Sequence, residues 1–383
     1  MDVWEDRVGA ADPVVSGLVV ERIEATGPDP KAWIVVTTPA FEAKIGTESG
    51  IVTSLRDNRS GRQLVPLGDV DHRPELGIGV LQLLDERPHD MSAWEHCDVH
   101  TEQSLLRGAT TTIVEEGPLV VVIEVVHEVR SSRMVERLTF HRDVPRIDIA
   151  LDVDWQEPGG SGVGVPNLKL SCNVSTRRPQ AWFEAPFAAV ERAPDGSEVP
   201  ALRWAAICGE NGGLAILNDG TYGHDALGSR LRATVVRTAY DPDPRSDRGA
   251  RQARFVVVPL VQDWREEGVT RLAAAHNEPM LVRAVERGGA GASPLGRFQP
   301  VVAPGAVLLS GCRVAATGRG RILRLWESTG RAGSAVISAG RALSRGRSTR
   351  ATSRFAGSPS QEARCASPSA RGRRAPCWSC HEE

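Results

Sequence analysis

The sequence predicts an all-β protein built as a large sandwich or barrel. Apolar segments are short, rich in β-branched residues and bounded by Gly, Pro, Asn or Asp, which is the composition of strands. Turn signals recur about every ten residues, the spacing of a sandwich and not of βαβ units. No helical stripe of comparable strength interrupts the strands.

In chain order, Ala32 to Thr38, Phe41 to Ile45 and Ile51 to Leu55 form an opening meander that ends in the turn Asp57-Asn58-Arg59-Ser60-Gly61. Pro118 to Glu128, Met134 to His141 and Arg146 to Asp154 read as three successive hairpin strands. The middle one sets Val135, Arg137 and Thr139 against Glu136, Leu138 and Phe140, a two-residue period. After a Gly-rich break at Gly159 to Gly164 come Asn167 to Val174, Ala201 to Cys208, Gly213 to Asn218, Leu231 to Arg237 and Ala253 to Pro259. Residues 1–31 read as a linker or the edge of a preceding domain, and 32–337 as the β region.

From Ser338 onward the composition changes to nine Arg, nine Ser, three Glu and almost no β-branched residue. Such a stretch buries too little apolar area to offset chain entropy, so residues 338–383 are expected to be disordered.

The 383 residues are enough for a full core, and a net charge of −2 gives no whole-protein field toward nucleic acid or an anionic membrane. Lysine occurs only at Lys31, Lys44 and Lys169, an arginine bias that fits a GC-rich coding sequence better than phosphate recognition. The opening MDVWEDRVGAADP lacks the pattern of a secretory signal, and no stretch approaches the roughly 20 apolar residues of a membrane span, so a cytoplasmic chain is expected. Seven widely spread cysteines do not suggest a disulfide framework.

Cys377-Trp378-Ser379-Cys380-His381 matches the c-type haem spacing, but a low-complexity tail offers no packed pocket for haem, so the match reads as accidental. His89, His96 and His100 cluster with Asp85, Asp90, Cys97 and Asp98 without any paired metal motif. They read as an acidic, partly exposed loop, with Asp98-Val99-His100 as loop, and no metal site is expected. Asp154-Trp155 and Asp263-Trp264 place a carboxylate beside an aromatic ring, a pairing sugars favour, against the competing reading of core packing. Asn218-Asp219-Gly220-Thr221-Tyr222-Gly223-His224-Asp225 reads as a polar, Gly-spaced loop suited either to ligand contact or to a tight turn.

The order of segments resembles the C-terminal region of family 38 α-mannosidases. FEAKIGTESGIVTSLRDNRSGRQLV is similar to that family's opening strands and its S-L-x-D-x-x-[ST]-G-R turn, matched by Ser54-Leu55-Arg56-Asp57 through Gly61-Arg62. LLDERPHDMSAWEHCD resembles the acidic-Pro…Ala-Trp loop, and RILRLWESTGRAG the late strand L-R-L-[YW]-E, so the likeness covers about residues 40–337. Ser92 and Glu95 stand beside Ala93-Trp94 where the family pattern has Asp; Gln156-Glu157-Pro158 and Leu260-Val261-Gln262 also depart from it.

The resemblance implies a large antiparallel β super-sandwich of the galactose mutarotase-like kind. It also implies sugar-lining positions at Asp85, Trp94, Asn218, Tyr222 and Asp225. Family members hold zinc and the catalytic nucleophile in an N-terminal barrel, and none of that precedes residue 40, so this chain is expected to hold no cofactor and no catalytic residue. Its expected partners are a mannose-containing glycan or mannoside and a separately encoded catalytic domain, with no nucleic acid and no membrane. The competing expectation is a free-standing carbohydrate-binding β-sandwich. The tail's Arg, Ser, Pro, Ala and Gly bias is that of a GC-rich gene read out of frame from about codon 340. The coding nucleotide sequence is expected to carry an uninterrupted alternative frame there that encodes β-patterned residues; its absence sinks the idea.

Overall fold

The computed structural model describes residues 17–24, 32–65, 76–279, 301–303, 305–318, 321–339, 349–355 and 363–366. Two compact units emerge: Met1–Trp182 with Arg192–Asp263, and Phe183–Glu191 with Trp264–Glu383. The expected 32–337 region is thus divided between them.

The strands in chain order are β1 (Val19–Ile23), β2 (Trp33–Thr37), β3 (Phe41–Gly46), β4 (Val52–Asp57), β5 (Gln63–Val65), β6 (Ile78–Glu86) and β7 (Val99–Ser104). Next come β8 (Thr110–Glu116), β9 (Val120–Val129), β10 (Ser132–His141), β11 (Ile147–Trp155), β12 (Val165–Asn173), β13 (Gln180–Ala185) and β14 (Ala188–Arg192). Then follow β15 (Asp195–Pro200), β16 (Trp204–Gly209), β17 (Gly212–Asn218), β18 (Gly223–Leu227), β19 (Arg230–Arg237) and β20 (Gly249–Leu260).

In the first unit, one sheet runs β1-β2-β3-β4-β6-β12-β19-β18-β15, with β5 on β4 and β7 on β6. The other runs β16-β17-β20-β11-β10-β9-β8. Neighbours in both are antiparallel, which lets each sheet bury one face and dress the other with polar groups.

The core lies between the sheets. On β9, Val121, Ile123 and Val125 are buried, and on β10 so are Met134, Leu138 and Phe140. Phe41 of β3 meets Phe140 edge to face, with ring centroids 6.4 Å apart, tying the two sheets together. The turn after β3 presses so close that a Cβ on Gly50 would lie 2.4 Å from the Val125 methyls, and its φ of +71° suits only glycine. Outward positions of the second sheet carry exposed ion pairs such as Arg137 with Glu124 and Asp152, which keep the surface polar and add little stability.

In the second unit, helix α1 (Val269–Asn277) buries Val269, Thr270 and Ala273, and two three-stranded sheets accompany it. With three buried positions in nine residues this helix has no stripe long enough to read from sequence. Of the tail, Thr349–Phe355 and Ala363–Ala366 are paired strands. Ser338 and Ala339 end the strand Gly333–Ala339, and the rest of the segment expected to be disordered, including the Cys377-to-His381 motif, lies outside the described residues. Among the described residues, no helix is long and apolar enough to cross a membrane.

Glu136 is the anomaly of the core. The β10 alternation puts it on the same face as Leu138 and Phe140; it is fully buried, and neither carboxyl oxygen has a hydrogen-bond partner. It points across the sandwich at Gly79, where an added Cβ would come within 3.3 Å of Glu136 Oε1. Burial pushes its pKa up to about 8, so the native state holds it protonated at neutral pH while an unfolded chain ionises it. Native protein therefore binds more protons than unfolded protein between the two pKa values, and stability falls as pH rises toward 8. Urea unfolding is expected to lose on the order of 1 kcal/mol from this group between pH 7 and pH 9. Glu136→Leu should flatten that dependence; an unchanged slope in the variant refutes the assignment.

Candidate functional site

The outer face of the first sheet is not an ordinary solvated surface. On β12, Leu168, Leu170 and Cys172 point into the core, so Asn167, Lys169, Ser171 and Asn173 point outward. Yet these four are 2%, 3%, 0% and 9% exposed. Neighbouring strands supply the cover. Lys169 pairs across with Gln82 of β6 and Thr234 of β19. One register shift matters: Lys169 opposes Thr234 whereas Leu168 opposes Val236, so Val235 is an extra residue. That bulge turns Arg237 outward beside Asn167, where strict alternation after Leu231 and Ala233 would bury it inside.

A continuous ionic lattice covers this face. Lys169 Nζ donates to Asp225 Oδ2 at 2.7 Å and also to Glu198. Arg232 Nε donates to both Asp225 oxygens at 2.8 and 3.0 Å, and its Nη1 to Glu102 at 3.0 Å. Arg230 reaches Glu102 at 3.1 Å, and Thr234 donates to Glu198 at 2.6 Å. At the other end Arg237 grips Glu86 through two nitrogens at 2.6 and 2.7 Å. Four cations thus meet four carboxylates, and the face is close to neutral. Burial would raise the Glu198 pKa, but the charge and hydrogen bond of Lys169, with Thr234, hold it below the usual carboxylate range.

The face is concave. β6 and β15 are separated by three strands, roughly 19 Å in a flat sheet. Nevertheless His96 Nδ1 lies 3.5 Å from Glu86 of β6 and 3.9 Å from Glu198 of β15. His96 belongs to the loop between β6 and β7, which is pinned by Ser92. The Ser92 hydroxyl accepts from Tyr240 N and Asp241 N at 3.0 Å each, and the Ser92 and Glu95 carbonyls accept from Arg237.

Of the residues expected to line a sugar, three fall on or beside this face. Asp225 is the lattice's buried anion. Trp94 is displayed by the pinned loop with 65% of its surface exposed, two residues before His96. Tyr222 is 57% exposed and precedes Gly223, whose missing side chain makes room for Glu198: a Cβ there would meet Glu198 Oε1 at 2.4 Å.

Asp85 and Asn218 are corrections. Asp85 alternates with Glu86, so it faces the opposite way and is consumed by Arg130 at 2.9 and 2.6 Å and by Thr101 at 2.6 Å. The Arg130 hydrogen bonds hold its pKa below the usual range. Asn218 is fully buried on the second sheet, where its Oδ1 accepts from Gly220 N at 3.1 Å and closes a turn.

Two loop readings also change. Gly223–Leu227 and Val99–Ser104 are strands. His224 points inward, and burial pushes its pKa down to about 4, leaving it neutral. Trp155 is core, its Nε1 donating to Thr238 Oγ1 at 2.6 Å, and Trp264 is buried as well.

Sequence reasoning missed Lys169, Glu198, Glu102 and Arg232. The available signal was the polar alternation Asn-Leu-Lys-Leu-Ser-Cys-Asn in a strand with no exposed face. Asp225→Ala is expected to cost about 3–5 kcal/mol in urea unfolding, because it takes from two buried cations, Lys169 and Arg232, the buried carboxylate they share; a loss below 1 kcal/mol contradicts the lattice's structural weight.

The described residues do not fit a zinc ion. The best cluster, Glu86 with His89 and His96, has its carboxylate held by Arg237, and no group of three His, Cys, Asp or Glu among them is placed to hold a metal.

Comparisons with known proteins agree with this architecture. The model of the glycosyl hydrolases family 38 C-terminal domain matches residues 36–245. Alpha-mannosidase 2C1 of Homo sapiens is 26% identical over 245 residues, 61% of this chain and 22% of that protein. Alpha-mannosidase G of Dictyostelium discoideum is 22% identical over 327 residues, 81% of this chain and 28% of that one. The chain therefore spans about a quarter of the length of these curated relatives. Among solved structures, an alpha-mannosidase from Enterococcus faecalis V583 superposes with a TM-score of 0.65 at 10% identity, covering 85% of this chain and 45% of that one, a likeness of fold. With the family model matching more than half of its length, the chain belongs to glycosyl hydrolase family 38 through that family's C-terminal domain.

Proposed function

We propose that this chain is the carbohydrate-contacting β-domain of an α-mannosidase, and that hydrolysis requires the zinc-holding catalytic domain of that family in addition to it. The observation that carries the reading is that two exposed aromatic residues, Trp94 and Tyr222, stand two and one residues before His96 and Gly223, which lie against the lattice carboxylate Glu198. Sugar CH faces stack on such rings while hydroxyls bond to charged groups beside them. The lattice is poorly suited to cleaving a glycosidic bond itself. A glycosidase acid needs a carboxyl whose pKa is raised, whereas Glu198 and Glu86 are both held below the usual range, against the pull of burial, by Lys169 and Arg237. The ligand class supported is a mannose-containing glycan or mannoside, as the names of the relatives suggest. The same reading favours the cytoplasm, where the thiols of Cys97, Cys172 and Cys312 would stay reduced.

Titration calorimetry with methyl α-mannoside is expected to detect binding that Trp94→Ala and Tyr222→Ala each weaken about tenfold, the loss of one stacking platform. The isolated chain with added zinc is expected not to hydrolyse a chromogenic α-mannoside. Chelator-sensitive hydrolysis by the chain alone overturns the division of labour.

A further inference from the structure

We infer that the cavity at the start of helix α1, in the second unit, is an anion site that takes the phosphoryl group of a small molecule. The inference is independent of the sugar-binding reading, since it uses other residues in the other unit.

A cavity of about 340 Å³ opens at this end of the helix, lined by Arg265, Thr270 and Arg271 together with Gly305, Ser328 and Thr329. That size falls at the lower end of the roughly 300–1,000 Å³ range of small-molecule sites.

The donors of the first turn do not all find acceptors. The Val269 amide donates to Trp264 O at 3.1 Å, and those of Arg271 and Leu272 to Gly268 O at 2.9 and 3.1 Å. Neither the Thr270 amide nor its hydroxyl has an acceptor among the described residues. No side chain caps the helix, because Gly268 stands at the N-cap with a φ of 67°. Thr270 is 4% exposed and forms part of the cavity wall, so an acceptor for its two donors can come from the cavity.

Charge is out of balance at the same place. The start of a helix carries the positive end of its dipole and favours acidic side chains, yet α1 has no acidic residue in its first turn and has Arg271 there instead. The guanidinium folds back over that end: Nη2 lies 3.9 Å from the position of a Cβ on Gly268, and Nη1 3.3 Å from one on Gly305. No carboxylate pairs with Arg271 among the described residues. The carboxylate on the cavity wall, Glu266, is held by Arg331. A bound anion would answer both the helix end and the guanidinium at once.

The donors set the ligand class. Ser328 and Thr329 already donate their hydroxyls, to Ala306 O at 2.8 Å and to Glu327, and Arg265 Nε donates to Thr329 O at 2.9 Å. Recognition therefore falls to Thr270 and Arg271. One cation beside two neutral donors suits a phosphoryl group, whose several oxygens accept from a guanidinium fork and from neutral donors together. The cavity leaves room beside it for an organic body.

The test is titration calorimetry on the full chain at low ionic strength, with inorganic phosphate and a hexose 6-phosphate as probes and acetate as the control. Both phosphates are expected to bind at one site, and more weakly as salt is added. Arg271→Gln and Thr270→Val are each expected to weaken them about tenfold, the value of one charge-assisted hydrogen bond, while Trp94→Ala leaves them unchanged. Arg271→Gln is also expected not to lower the melting temperature of the ligand-free chain, since it removes a cation from the positive end of a helix; a merely structural arginine would lower it. Absence of saturable phosphate binding, or binding that Arg271→Gln leaves intact, overturns the site. Acetate bound as tightly as phosphate overturns the phosphoryl class, and a hexose 6-phosphate bound more weakly than inorganic phosphate overturns the room for an organic body. Phosphate binding lost in Trp94→Ala overturns the location. Mannoside binding without phosphate binding overturns this site alone and leaves the proposed function standing.

Discussion

The first sheet is organised around one buried ammonium group. Lys169 sits in the middle of β12 with 4% of its side chain exposed, and a charge so removed from water is tolerable only when opposite charges meet it at short range. Asp225 and Glu198 do so from β18 and β15, one and two strands beyond β19. Satisfying them in turn recruits Arg232, Thr234, Glu102 and Gln82. The register of five neighbouring strands is therefore coupled through polar contacts on the outer face as well as through apolar contacts on the inner one. A one-residue slip of β18 would turn Asp225 into the core and take from Lys169 and Arg232 the carboxylate they share.

The two faces of the sandwich obey opposite rules. Inside, alternation delivers aliphatic side chains to a packed layer, and the exception, Glu136, is tolerated by becoming neutral. Outside, the residues are just as buried but charged, and they are tolerated by pairing. The β19 bulge is what makes the outer network continuous: by adding Val235 it brings Arg237 to Glu86 and extends the lattice to the loop that holds Trp94. Backbone irregularity here re-aims a side chain that strict alternation would have hidden.

The central strands were legible in the sequence because each is an apolar run with one buried face, and that pattern depends only on neighbours along the chain. Val120–Val129, Ser132–His141 and Gly249–Leu260 all lie where the pattern placed them. Val99–Ser104, Asp195–Pro200 and Gly223–Leu227 were not legible, since they are polar strands held by partners far along the chain. Glu198 illustrates the limit: Asp-Gly-Ser-Glu-Val-Pro carries no apolar run, and only folding reveals Lys169 twenty-nine residues away as its partner. Asp85 fails for the opposite reason. Adjacent residues on a strand face opposite sides, and the position on the lattice face belongs to Glu86.

That neighbour relation explains how rigidity and openness coexist at the candidate site. Glu86 anchors Arg237, and Arg237 in turn holds the carbonyls of Ser92 and Glu95 on either side of Trp94. With the backbone held on both sides of Trp94, the proposed sugar contact would cost less loop ordering, so more of the contact energy would appear as affinity. The same charges that fix it are spent on one another and are poorly placed to drive bond cleavage. Under the function proposed above, a surface built like this would orient a sugar without reacting with it.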